Sequence, residues 1–203
     1  MADVTAVNGV GGLPISPPQE RGDAARNRLL LLEAARTLIA EHGTEAVSMD
    51  DIASAAGVGK GTLFRRFGSR AGLMMVLLDE DERAMQQAYL FGPPPLGPDA
   101  PPLQRLLAFG RERLTFVRAH RELLSETNRD PDARYSAPFA VMRTHIRVLL
   151  ESAGSTGDLD AQADALLALL DPDYVTRELG HSGRTLDNLA DAWDSVATKL
   201  CGK

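Results

Sequence analysis

This sequence predicts an all-α protein, and three observations lead there. Apolar residues recur at i, i+3, i+4 and i+7 in every long segment, the spacing of one helix face. No stretch of strict alternation with β-branched enrichment lasts five residues, so nothing reads as a half-buried strand. Six of the twelve prolines fall within Pro93–Pro102, which no helix or inner strand can cross, so about nine helices separate into two groups. The 203 residues, 44% hydrophobic and 25% charged, suffice for one ordinary domain or two small ones packed together.

The chain opens with a leader, residues 1–22, rich in Gly and Pro (Gly9, Gly11, Gly12, Pro14, Pro17, Pro18) and expected to be disordered. The first helix is expected from about Ala24 to Glu41, with Asp23 as N-cap, Gly43 as terminator and Leu31, Ala35, Leu38 and Ile39 buried. Ser48 caps a second, short helix in a capping-box relation with Asp51, and Ile52, Ala53 and Ala56 face inward. Gly57 supplies a residue able to take positive φ. Gly59 to Phe67 then forms a third helix on which Leu63 and Phe67 stack at i, i+4. A fourth starts near Ser69.

Beyond the prolines the pattern predicts helices at about Leu103–Ala119, on to Glu126, and from Asp132 to Ala153, the last with Phe139, Met142, Ile146, Leu149 and Leu150 along one stripe. Ala161–Leu170 is apolar nearly all round in its later half, as a helix covered on two sides would be. Asp171-Pro172 breaks it and starts a short turn. The final helix, Thr185–Leu200, carries Leu186, Leu189, Ala190, Trp193, Val196, Ala197 and Leu200 on a single stripe.

Two short helices joined by a glycine turn within about residues 47–66 form the layout of a helix-turn-helix, whose second helix enters the DNA major groove. The net charge of −6 argues against a polyanionic partner until it is divided along the chain. Residues 21–78 hold eight basic and six acidic groups, whereas residues 79–203 hold fourteen basic and twenty acidic. Between Gly57 and Arg70 there are four cations, Lys60, Arg65, Arg66 and Arg70, and no acid. With Leu63 and Phe67 turned to the core, Lys60, Gly61, Phe64 and Arg65 face outward. Lys60 and Arg65 suit guanine edges, Phe64 a thymine methyl, and Gly61 a close backbone approach. Arg21, Arg26 and Arg28 are placed for a flanking phosphate or the minor groove.

The same stretch contains a Gly/Lys/Thr pattern that superficially suggests a P-loop. Ser54 stands where a glycine is required and Gly61 follows the lysine, which excludes it. His42, His120, His145 and His181 are scattered, each read as a surface or satisfied residue, and the single Cys201 allows neither an intramolecular disulfide nor a Cys-based zinc site. No metal, cofactor or catalytic set is expected. No apolar run reaches membrane-spanning length and the leader lacks secretion features, so a cytoplasmic protein is expected. The rival to a DNA-binding regulator is a helical enzyme or ligand-binding protein with an incidental basic patch.

Residues from about Asn27 to Leu78 resemble the DNA-binding domain of the TetR family of transcriptional regulators. The matching residues are Ala34-Ala35 with Leu38, Ile39 and Gly43, then Ile52-Ala53 and Ala56-Gly57-Val58, then Gly61-Thr62-Leu63-Phe64 with Phe67, Arg70 and Leu73. The resemblance implies a helix-turn-helix domain over residues 23–70 and an effector-binding and dimerisation domain over residues 71–203. It implies phosphate contacts from Ser48 and Thr62, base contacts from Lys60, Gly61 and Arg65, and base-edge or backbone contacts from Arg66 and Arg70. Phe64 replaces the family's usual Tyr, Arg70 its usual Lys, and Gly59 a common Ser.

The C-terminal half should then serve two purposes. Leu166, Leu170, Leu186, Leu189, Trp193 and Val196 are the expected homodimer surface, pairing as a four-helix bundle so that two heads read a palindromic operator. The alternative is that these residues close the core of one chain. Met74, Met75, Met85, Phe109, Phe116, Phe139 and Met142 supply soft and aromatic side chains able to line a small-molecule effector pocket or to fill plain core, and Arg118, Arg143, Arg147 and His145 suit an acidic effector and simple surface exposure equally. By family analogy the effector shifts the connecting helix and releases a repressor from its operator.

Overall fold

A computed structural model describes residues 18–121, 123–124 and 137–202. Expectations for residues 1–17, Ser125-Glu126 and the helix start at Asp132 lie outside the described residues. All regular structure among these residues is helical: α1 (Pro18–His42), α2 (Met49–Ala55), α3 (Lys60–Phe67), α4 (Arg70–Phe91), α5 (Pro102–Ala119), α6 (Ala137–Ser152), α7 (Leu159–Ala168), α8 (Pro172–Gly180) and α9 (Leu186–Leu200). The chain divides into two compact units, one ending at Leu73 and the other beginning at Met74, so the boundary falls inside α4.

In the first unit, α1 begins at Pro18, ahead of the expected Ala24, so residues 18–22 of the expected tail are helical and Asp23 lies within the helix instead of capping it. Proline is tolerated in a first helical turn, and Gly22 alone is too weak a breaker to delay the start. The core of the unit is Leu31, Leu32, Ala35, Val47, Met49, Ile52, Ala53, Leu63, Phe67 and Leu73. Leu38 and Ile39 are half-buried. Gly43, Gly57 and Gly68 all take positive φ, at 82°, 64° and 73°, marking the end of α1, the turn of the motif and the end of α3.

The second unit is built around Trp193, which is fully buried and donates its indole Nε1–H to the carbonyl of Leu106 at 3.0 Å. Gly110 on α5 makes room for this ring, since a Cβ there would lie 2.0 Å from it. Leu166, Leu170, Leu189 and Trp193 all belong to this core, and Leu186 packs half-buried against it. This corrects the expected dimer surface: α5 of the same chain covers the stripe of α9, and of the six residues only Val196 is exposed. Caps set the helix starts here. Asp158 caps α7, Asp171 accepts from the N–H groups of Asp173 and Tyr174 to start α8, and Thr185 with Asn188 forms a capping box on α9. Asp171-Pro172 therefore starts a nine-residue helix where only a turn was expected. Among the described residues no helix is long and apolar enough to cross a membrane.

Candidate nucleic-acid interface

The N–H of Asp51 donates to Ser48 Oγ (3.2 Å), while the hydroxyl and N–H of Ser48 donate to Asp51 Oδ2 (2.6 and 3.0 Å). Ser48 is thus held by the capping box itself, and its hydrogen bonds keep the Asp51 carboxyl below the usual carboxylate range. A phosphate contact from the Ser48 hydroxyl, as the family resemblance implies, would have to compete with that bond. From this cap α2 runs to Ala55, Gly57 reverses the chain, and α3 starts at Gly59, which offers no side-chain cap.

On α3, Leu63 and Phe67 are buried while Lys60, Gly61, Phe64, Arg65 and Arg66 are exposed and Thr62 is half-buried. Phe64, at 46% exposure, is a large aromatic ring left in water on a helix of eight residues. Lys60 Nζ pairs with Asp50 Oδ2 on α2, and Arg65 Nη2 donates to Thr62 Oγ1 at 3.1 Å. Both interactions are solvent-exposed, so water screens them and a stronger anion can replace them. No Cβ added at Gly61 would meet another atom within 4 Å, so its backbone is open to approach. Arg26 is exposed and Arg28 half-buried, and the side chain of Arg21 lies outside the described set.

Arg70 departs from expectation. It is half-buried at the first position of α4, and its Nε and Nη2 donate to the carbonyls of Val47 (3.2 Å) and Thr44. Its charge therefore faces the loop between α1 and α2. Nearby, Ser69 Oγ accepts the N–H of Gly72 at 3.1 Å, and a Cβ at Gly72 would lie 2.1 Å from the carbonyl oxygen of Phe67. The spacing of apolar residues carried no sign of this junction, because its content is one guanidinium and one missing methyl.

The six expected effector-pocket residues differ in their surroundings. Met74, Phe109, Phe116 and Met142 are buried core, Met85 is half-buried, and Phe139 lines a cleft of about 810 Å³ with Ala140, Arg143, Asp164, Leu167, Ala168, Asp171 and Tyr174. Arg143 is held there by Asp164 (2.6 and 3.1 Å) and Asp160 (2.9 Å), bonds that raise its pKa above the ordinary arginine value. Arg147 lies beside Glu151 and Asp160. The acidic-effector reading loses these two cations to carboxylates of the same chain.

Sequence reasoning also missed the buried polar group beside the aromatic core. His145 is 7% exposed, its ring 4.5 Å from Tyr89 and 5.2 Å from Phe109, and its Nε2 has no hydrogen-bond partner among the described residues. Burial, with the Arg105 charge nearby, lowers its pKa to about 4. It is therefore neither the surface nor the satisfied histidine expected. Its place on the buried face of α6, one residue from Ile146, was the available signal. Burial also pushes the Tyr89 hydroxyl up to about 12. Arg113, missed as well, places its Nη1 at 2.6 and 2.9 Å from the Glu82 carboxylate and its guanidinium 4.5 Å from the Phe116 ring centroid. His120, expected at the surface or satisfied, meets Asp81 at 3.0 Å. Among the described residues no three His, Cys, Asp or Glu side chains group as metal ligands would.

Comparison with known proteins locates the resemblance where this geometry lies. Residues 31–75 match the model of the bacterial regulatory proteins of the tetR family. An HTH-type transcriptional regulator of Staphylococcus aureus is 39% identical over 61 residues, covering 30% of this chain and 33% of that relative, so the match spans about a third of the curated relative's length. The fold extends further. A transcriptional regulator from Saccharomonospora viridis, solved in complex with choline, superposes with a TM-score of 0.62 at 23% identity, over 85% of this chain and 95% of that one. A TetR-like transcriptional regulator from Rhodococcus sp. gives a TM-score of 0.54 at 24% identity, over 87% and 97%. The helix-turn-helix region of this chain is thus similar to that of the tetR family of bacterial regulatory proteins, and its all-helical fold is shared with solved transcriptional regulators.

Proposed function

We propose that this protein is a DNA-binding transcriptional regulator, acting as a repressor that a small molecule releases from its operator. The observation carrying the reading is the division of α3: Leu63 and Phe67 anchor it, while Lys60, Gly61, Phe64, Arg65 and Arg66 stand exposed on its other faces. That arrangement suits a recognition helix, with cations for phosphates and guanine edges and an aromatic ring for a thymine methyl. Ser48 and Thr62 belong to the same proposed interface. A homodimer on a palindromic operator follows from the small footprint of one such head. Val196 is the member of the expected dimer set still available to a partner chain.

An effector site in the second unit is supported by the cleft at Phe139 and Tyr174, whose volume lies in the range of small-molecule sites. The choline complex of the Saccharomonospora viridis regulator supports small-ligand binding by this fold. We place the protein in the cytoplasm and assign it no catalytic role.

The test is a fluorescence titration of the full chain against the promoter region of its own gene and against random duplex of equal length. Preferential binding to the promoter region with a steep loss of affinity on adding salt is expected. Equal, salt-insensitive binding to both would overturn the proposal. Within the interface, Arg65→Ala should lower promoter affinity more than random-DNA affinity, and equal losses would remove Arg65 from base reading.

A further inference from the structure

We propose that Arg70 is a positioning residue of the reading head, fixing α2 and α3 for DNA instead of neutralising a phosphate; this rests on the DNA-binding reading above. Its guanidinium reaches back across more than twenty residues to two backbone carbonyls, Thr44 and Val47, in the segment joining α1 to α2. Carbonyls in such a segment lack the partners a helix would supply and need donors from elsewhere. Val47 directly precedes Ser48, the N-cap of α2, so the guanidinium holds the backbone at the point where α2 is aimed.

The same turn of α4 also holds the end of α3. Gly72 lies against the carbonyl of Phe67 with no space for a Cβ, and Ser69 Oγ accepts the Gly72 N–H. The first turn of α4 is therefore fastened to the start of α2 through Arg70 and to the end of α3 through Gly72. Both fastenings belong to the unit that ends at Leu73.

The choice of arginine is explained by this geometry. A planar guanidinium presents several N–H groups in a fixed fork and meets two carbonyls together, whereas an ammonium is a single point charge on a flexible stem. In Arg70 these donors are turned inward, to the carbonyls of Val47 and Thr44. A residue whose task is to meet a phosphate would tolerate lysine. A two-carbonyl clamp would not.

The experiment uses full-length Arg70→Lys and Arg70→Ala proteins at a temperature where circular dichroism shows both folded, with promoter and random DNA over a range of salt. Both variants should lose about tenfold or more of their promoter affinity, with the slope of log K against log salt unchanged. A residue that neutralises a phosphate would instead leave the lysine variant near wild type, and its replacement by alanine would make the slope shallower by about 0.9 per phosphate. Either of those results overturns the proposal, as does unchanged promoter affinity in both folded variants. Hydrogen exchange in free protein supplies an arm independent of DNA: amides of residues 44–48 should exchange faster in both variants, and unchanged rates would overturn the clamp. If wild type shows no promoter preference, the regulator reading fails on that result alone, and exchange still decides whether the clamp exists.

Discussion

Phe64 and His145 show how far a single side chain can be read. Phe64 is exposed on α3, so a hydroxyl added at its para position points outward, toward the proposed phosphates. Phe64→Tyr should therefore strengthen binding to promoter and random DNA alike, by roughly two- to tenfold, the value of one added hydrogen bond. A titration showing no gain on either DNA would place that ring away from the backbone. The opposite case is His145, buried and neutral, with its pKa lowered to about 4. The unfolded chain binds a proton at about 6.5 while the folded chain resists until about 4, so stability is fully present above pH 6.5 and falls as the pH drops toward 4. The loss has an upper bound of about 3 kcal/mol at 1.36 kcal/mol per pH unit. Denaturant unfolding at several pH values should show this loss, and His145→Phe should flatten it; an equal pH dependence in the variant would assign the effect elsewhere. Phe64 was legible because exposure on a short helix follows from where Leu63 and Phe67 lie. The solvation of His145 was not, since it depends on which residues of other helices close over it.

At the scale of elements, the caps and turns written in neighbouring residues were legible: Ser48 with Asp51, Gly57, and Gly59 without a cap all stand as their chemistry dictates. Apolar periodicity also identified the buried face of α9, but not what buries it. A stripe of Leu189, Trp193 and Ala197 satisfies a dimer seam and a monomer core equally, and a gap on α5 decided between them. Gly110 opens that gap, and the Leu106 carbonyl receives the indole N–H. Two outcomes follow. Gly110→Ala should destabilise the second unit by about 1–3 kcal/mol or more through overpacking against a rigid ring, measured by thermal unfolding. Trp193→Glu should abolish helical signal from that unit, because it buries an unpaired charge where a large ring was. A soluble, fully helical monomer from Trp193→Glu would show the ring to be an interface residue after all. Val196→Glu, by contrast, should leave the helical signal intact.

For the whole molecule, the net charge of −6 conceals a division of labour that governs how DNA binding must depend on salt. Fourteen basic and twenty acidic residues lie in 79–203, while the exposed cations of α3 are Lys60, Arg65 and Arg66. Arg70 is excluded from this set because its donors serve backbone carbonyls. Lys60 is included because its pairing with Asp50 is solvent-exposed on both sides and yields readily to a phosphate. Whether at a phosphate or at a guanine edge, each of these cations displaces about one counterion, so one head counts as about three neutralised phosphates and a two-headed dimer as about six, giving slopes of log K against log salt near −3 and −5 at about −0.9 per phosphate. Phosphates met by Arg26 would steepen either value, so these are lower bounds in magnitude. Titrating the protein against DNA carrying one half-site and then both should move the slope from the first value toward the second. A slope that stays near −3 on the full operator would mean that one head binds at a time and would refute the paired-head arrangement. A slope near zero on both would mean that the acidic character of the whole chain prevails over α3, and that its cations are only a solvated face.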